Sequence, residues 1–309
     1  MRIFIAGATG VLGRATVARL VAGGHQVHGI ARSPEKAVQL RDQGATPVEG
    51  VDLFDPASVR RAVEGADTVV HMATSIPPLS KAWRTKAWAM NDRLRQEATP
   101  IIVDASREAG VQRFVKESVC FFYLPQGERW IDEDSPIDRN GFGRASLDAE
   151  DAAVGYGAAE EGRTGVALRF GAFYSAEARS LEESLSTVLG TGPMIGRPDA
   201  YQPSIHVDDA ATAVVAALAA PSGHYNVADE PITKAAWNAA FFDAFGIDKK
   251  PRSIPKLALR IGGEVVAVVA GSRRISSRRF RDATGWVPHF ADATIGLEAV
   301  AAAHRKAHG

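Results

Sequence analysis

Cysteine is nearly absent, Cys120 being the only one in 309 residues. No internal disulfide framework can form, and the chain reads as one kept in a reducing, cytoplasmic compartment. An excess of either charge is missing too, because 36 Lys and Arg stand against 36 Asp and Glu. So balanced a chain offers neither nucleic acid nor an anionic membrane a field to follow. Long apolar runs are lacking: the richest windows, 210–220 and 265–270, fall far short of the ~20 residues of a membrane helix. No leader is expected, since the apolar start reads as a strand running into a glycine-rich turn. No His, Cys or Asp spacing suggests a metal site, and no repeat or low-complexity tract appears.

What is present starts at the first residues. Residues 2–6 (RIFIA) read as a short buried strand, broken by Gly7-Ala8-Thr9-Gly10-Val11-Leu12-Gly13, which opens a helix. Gly7 permits a tight turn, Gly10 lets the main chain approach an anion, and Gly13 lets helix and strand pack closely. The free amides and the dipole at that helix start form a phosphate site. Residues 26–31 form a second strand, whose exit carries Arg32, Ser33 and Lys36. Sites for NAD commonly place an acid here to hold the ribose 2′-hydroxyl. Arg32 and Ser33 suit a 2′-phosphate instead, so NADP(H) is expected in preference to NAD(H). The competing reading is a solvated basic turn.

The pattern then repeats. Strands are expected at 46–50, 68–72, 113–117 and 165–169, with helices at 34–43, from Asp55-Pro56, at 86–109 and at 145–161. Such alternation predicts an α/β fold with a doubly wound parallel sheet. Beyond Phe170 it lapses. Helical stretches at 180–189 and 231–246 suggest a smaller substrate-side domain, while an apolar helix at 210–220 and a strand at 225–227 return to the sheet. The expected division is 1–170 for the nucleotide domain, with a return segment near 205–230, and 171–309 mainly for substrate.

In order, AGATGVLG at 6–13, VDLFD at 51–55, VVHMATS at 69–75, Asn91, RFVKESVCFFY at 113–123, ALRFGAFY at 167–174, HVDDAA at 206–211 and HYNVADEPIT at 224–233 resemble the extended short-chain dehydrogenase/reductase family, the NAD(P)-dependent epimerase/dehydratase group. The resemblance implies a Rossmann domain and a C-terminal substrate domain. It places Asp52 and Leu53 at the adenine, Ala73 and Thr74 along the cofactor, and Phe170, Gly171 and Ala172 near the nicotinamide carboxamide. It implies an oxidoreductase or epimerase acting on a small or nucleotide-linked carbonyl or alcohol. The expected partners are that small molecule and at most a second copy of the chain in a homodimer.

One departure bears on the chemistry. Family members carry a Tyr-x-x-x-Lys pair at the start of the helix that follows the long loop. Aligning Ala149-Glu150 puts Phe142 in the tyrosine slot and Ser146 in the lysine slot. Residues four apart share a helical face, where a lysine ammonium lowers the phenol's pKa. Phe142 has no proton to give, and acid–base help of this kind is worth about 10²–10⁴ in rate. Either another donor operates or the chain binds NADP(H) without turnover, as a sensor or interaction partner. The remaining hydroxyls expected just past the fifth strand make Tyr123 the candidate donor and Ser118 the group that orients the oxygen. Cys120 reads as a small buried hydrophobe, Asp208 or Asp209 as a helix cap, and Arg273 to Arg281 as a solvated basic face or an anion site.

Overall fold

Parallel strands covered on both faces favour apolar residues, as in Arg2–Ala6 and Thr68–His71, whereas the edge segment Thr46–Glu49 is more polar and more exposed. The computed structural model describes residues 1–178, 181, 185, 193–248, 252–253 and 263–308. The strands are β1 (Arg2–Ala6), β2 (Gln26–Ala31), β3 (Thr46–Glu49), β4 (Thr68–His71), β5 (Arg113–Val119), β6 (Thr164–Phe170) and β7 (Gly223–Val227). They form one parallel sheet ordered β7-β6-β5-β4-β1-β2-β3, the Rossmann-type architecture expected.

Helices α1 (Val11–Ala22) and α2 (Pro34–Asp42) cover one face with α6 (Val207–Ala216), packing Val17, Leu20, Leu40 and Val214 onto Ile5, Val70 and Leu168. Helices α3 (Pro56–Val63), α4 (Thr99–Glu108) and α5 (Arg144–Ala158) cover the other, where Val59, Ile102 and Tyr156 meet Phe4, Val69 and Phe114. Ser33 and Asp55 cap α2 and α3 by accepting backbone N–H bonds, each followed by a proline suited to the first helical turn. Chain order reverses between β1 and β4, so the ligand crevice of an open α/β sheet lies above their carboxyl ends.

The single helix expected at 86–109 is broken. A 3₁₀ turn (Thr85–Trp88) leads into an α turn (Ala89–Arg93), then a π turn (Leu94–Ala98), and only then α4. Pro100 has no N–H, and its ring would meet the carbonyl of Gln96 in a regular helix. The wider turn avoids that conflict, and the Thr99 hydroxyl donates to the Leu94 carbonyl at 3.2 Å.

After β6 the chain leaves the sheet. The helix expected at 180–189 lies outside the described residues except Leu181 and Leu185. That expected at 231–246 is α7 (Lys234–Ala244), which packs with α10 (Ala293–His308) around Phe241, Leu297 and Val300. Two short helices, α8 (Gly263–Ala270) and α9 (Arg278–Thr284), lie between them. The cap of α6 is neither Asp208 nor Asp209. His206 Nδ1 accepts the Asp208 N–H at 3.1 Å, while Asp209 takes the amides of His289 and Phe290. No described helix is long and apolar enough to cross a membrane.

Just beyond β7, Asp229 is 2% exposed and accepts the Tyr174 hydroxyl at 2.7 Å. Burial, with Asp209 and Asp292 nearby, pushes its carboxyl up from 3.8 to about 8. The folded chain therefore keeps a proton that the unfolded chain loses near pH 4. This contribution is complete below that pH and is lost as pH rises through 8. Melting measured from pH 5 to pH 8 should show stability falling by up to ~1.4 kcal/mol per pH unit. In Asp229→Asn that slope should flatten, and an unchanged slope would assign the proton elsewhere.

Candidate functional site

The cleft is built first from the turn after β1. Gly7 has φ +95°, and a Cβ there would lie 2.6 Å from the Ala73 amide nitrogen, so the turn lies directly against the β4 exit. Gly10 is exposed, N-caps α1 in extended backbone and has no side-chain cap. The free amides of the first helical turn are thus open to an anion. Thr9 and Val11 are half-buried beside them, whereas the Leu12 side chain is in the core and only its main chain can face a ligand.

Along the crevice, Arg32 is exposed at the end of β2 and Ser33 is half-buried. The Ser33 hydroxyl accepts the Lys36 amide at 3.4 Å, so it also serves α2 as a cap. Asp52 is exposed and Leu53 half-buried beyond β3, with Asp52 Oδ1 accepting the Phe54 amide at 2.9 Å. Ala73 and Thr74 are half-buried after β4, and Asn91 Oδ1 holds this exit by accepting the Ser75 amide at 3.3 Å. Phe170 has its ring in the core, while Gly171 and Ala172 run on into a parallel pairing with residues 204–206. The residues present are of the kind that would hold a dinucleotide: open amides at the start of α1, and an exposed cation and a hydroxyl at Arg32 and Ser33.

At the far end, Phe142 precedes α5 and stacks edge-on against Trp88, with ring centroids 4.8 Å apart and planes at 88°. Its amide donates to the Glu264 carboxylate of α8. Gly143 is needed behind it, since a Cβ there would lie 2.4 Å from Phe122 Cβ. Ser146 is buried one turn along the helix. No phenol or ammonium therefore occupies the two slots.

A family model matches residues 3–228. The chain belongs to the NAD dependent epimerase/dehydratase family. It is 33% identical over 299 residues to a Streptomyces 3-diazoavenalumate denitrifying reductase, covering 93% of this chain and 96% of that protein. The fold matches human epimerase family protein SDR39U1 with NADPH at a TM-score of 0.81 and 23% identity, over 98% of this chain and 99% of that one. It also matches Thermus thermophilus UDP-glucose 4-epimerase with NAD at 0.78 and 20% identity, over 99% and 100%.

Within that family framework the two residues singled out for chemistry must be reassigned. Strand β5 runs two residues further than expected, so Ser118 lies inside the sheet opposite Arg169, fully buried, with its hydroxyl making no hydrogen bond to any described residue. Tyr123 is also fully buried. Its hydroxyl donates to Asn226 Oδ1 at 2.9 Å and accepts from Arg169 Nη1 at 2.5 Å. Burial raises its pKa despite the adjacent guanidinium. Arg169 in turn forks onto Glu150 of α5 at 2.7–3.2 Å. The pair expected to move a proton is therefore part of the buried frame between β6, β7 and α5.

The other polar residues of β5 are structural as well. Lys116 Nζ donates to the Glu117 carbonyl at 2.5 Å, and burial pushes its ammonium down to about 8. Glu117 lies 3.4 Å from Arg95 of the π turn. Cys120 is buried, as expected, and its thiol is pushed up to about 12 by that burial. The basic run at 273–281 is split: Arg273 is buried, whereas Arg278 and Arg279 are exposed, as a solvated face requires. Arg273 donates to the Tyr123 carbonyl, Arg279 pairs with Asp134, and Arg281 pairs with Glu230. A hollow of about 830 Å³ lies on the α1–α2 flank, but it shares only Val11 with the expected cofactor residues. Trp88 is the site residue that sequence reasoning missed, and its place near Asn91 in a helix was the available signal.

Proposed function

We propose that the chain is an NADP(H)-dependent reductase whose hydride acceptor draws no proton from the family's Tyr and Lys positions. Phe142 and Ser146 in those positions, with Ser118 and Tyr123 both enclosed, carry this reading. The α1 amides would hold the pyrophosphate, Arg32 and Ser33 a 2′-phosphate, and Asn91 fixes the β4 exit along which the cofactor would lie.

Bound NADPH supplies a hydride. The chain's own residues position and enclose rather than protonate: Phe142 and Trp88 form an apolar wall at the place of the usual phenol. An acceptor suited to such a wall completes its reaction without a general acid. The name of the Streptomyces relative describes one, since replacing a diazonium group by hydrogen consumes one hydride, releases N₂ and needs no proton.

NADPH loss at 340 nm over a panel of diazonium salts and carbonyls tests the reading. Turnover of diazonium salts, and little of carbonyls, is expected. Binding of NADPH without its oxidation by any acceptor would instead favour a sensor. For the cofactor, calorimetric titration should show NADPH bound at least tenfold more tightly than NADH, with most of the difference lost in Arg32→Ala. Equal affinities in the unaltered protein would sink the 2′-phosphate assignment.

A further inference from the structure

The segment between β4 and the π turn has features that cofactor binding does not use. No acidic residue stands between Asp67 and Asp92, whereas Lys81, Arg84 and Lys86 are all exposed. None of the three forms an ion pair among the described residues. Ile76, Trp83 and Met90 are also exposed, at 56%, 53% and 44%. A stretch of this size that leaves large apolar side chains in water and carries charge of one sign reads as a recognition surface.

Trp88 joins this segment to the reactive end of the cleft. Its indole N–H donates to the Ala82 carbonyl at 2.8 Å, which fixes the ring, and its π-system is set edge-on to Phe142. Phe142 is held from behind by Glu264 and by the missing Cβ of Gly143. A rigid aromatic corner thus occupies the position of the usual acid, with a strip of cations on the chain that leads to it. Ring against ring favours offset and edge-on contact, and the cations favour an anionic group on the same molecule.

We propose that the cleft selects a planar aromatic carboxylate, its ring lodged against Trp88 and Phe142 and its carboxylate drawn by Lys81, Arg84 and Lys86. This rests on the reading of the chain as an NADP(H)-dependent reductase and names the substrate class of that same site. Trp88 is then a specificity-determining residue. The cation strip acts mainly on capture, so its effect is sensitive to salt.

Calorimetry on the NADP⁺-loaded protein tests this with two acids inert to hydride: 4-hydroxycinnamate, and 3-cyclohexylpropionate as its non-aromatic counterpart. The aromatic acid should bind at least tenfold more tightly. Trp88→Ala should remove most of that advantage, and Trp88→Phe should keep it, which separates lost recognition from lost folding. Lys81→Gln/Arg84→Gln/Lys86→Gln should weaken the aromatic acid at least fivefold and flatten its dependence on salt. Equal affinity for the two acids, no binding of either, or unchanged affinity in Trp88→Ala overturns the proposal. If NADPH fails to bind at all, the reductase reading falls. If it binds but the acids are not discriminated, only the aromatic carboxylate is excluded.

Discussion

Gly13→Ala should unfold the protein several degrees earlier and weaken NADPH binding at least tenfold. A Cβ at Gly13 would stand 2.1 Å from the Gly7 carbonyl oxygen and 2.7 Å from Ala8 backbone atoms. None of these can yield without opening the turn that bears the anion site. Overpacking of this kind costs about 3 kcal/mol at the upper end of its usual range, or roughly 6 °C in a chain of this size. Gly10→Ala is the control. Its Cβ would meet only the Gly7 oxygen at 3.4 Å, so melting should stay near that of the unaltered protein while NADPH affinity falls. Scanning fluorimetry and titration of both variants separate the two roles. A Gly13→Ala protein with unaltered melting and affinity would refute the close-packing account.

Arg169→Met should be the most destabilising single change in the buried frame. Arg169 is 4% exposed, forks onto Glu150 and donates to Tyr123, and Glu150 is fully enclosed. Losing the guanidinium leaves a buried carboxylate beside only His224 Nε2 among the described residues, at 3.6 Å, an imidazole whose pKa burial lowers and which therefore offers little positive charge. Breaking one side of such a pair costs about 3–5 kcal/mol, whereas replacing both sides by apolar groups is often close to neutral. Urea denaturation should therefore show the large loss in Arg169→Met, with much of it restored by adding Glu150→Leu. If the double variant is as unstable as the single one, the loss comes from packing rather than from the stranded charge.

These two cases show what a linear reading can and cannot reach. The glycine turn was legible because its constraints are local: φ at Gly7 and the approach of Gly13 act within one strand–turn–helix. The strands were legible because enclosure on both faces demands continuous apolar runs, as in Thr68–His71 and Thr164–Phe170. The substituted slots, Phe142 and Ser146, followed from the family resemblance, by aligning Ala149 and Glu150 with its pattern. Tyr123 and Ser118 misled because a buried polar residue and a reactive one look alike in sequence. What separates them is their partners, and those of Tyr123 lie 46 and 103 residues away, at Arg169 and Asn226. The contact of Trp88 with Phe142 was hidden for the same reason.

The π turn at Leu94–Ala98 makes the length of the chain, as well as its chemistry, a determinant of the cleft. Such a turn carries one residue more than a regular helix, and each residue rotates a helix by about 100°. Deleting one residue from 94–98, together with Pro100→Ala, would let the helix wind regularly while α4 kept its seat on the sheet. Everything upstream would then swing by about a quarter of a revolution. Asn91 would be carried away from the Ser75 amide, and Trp88 away from Phe142, with neither side chain changed. The surplus residue thus works as an indexing device, setting the angle at which Asn91 meets the Ser75 amide and Trp88 meets Phe142.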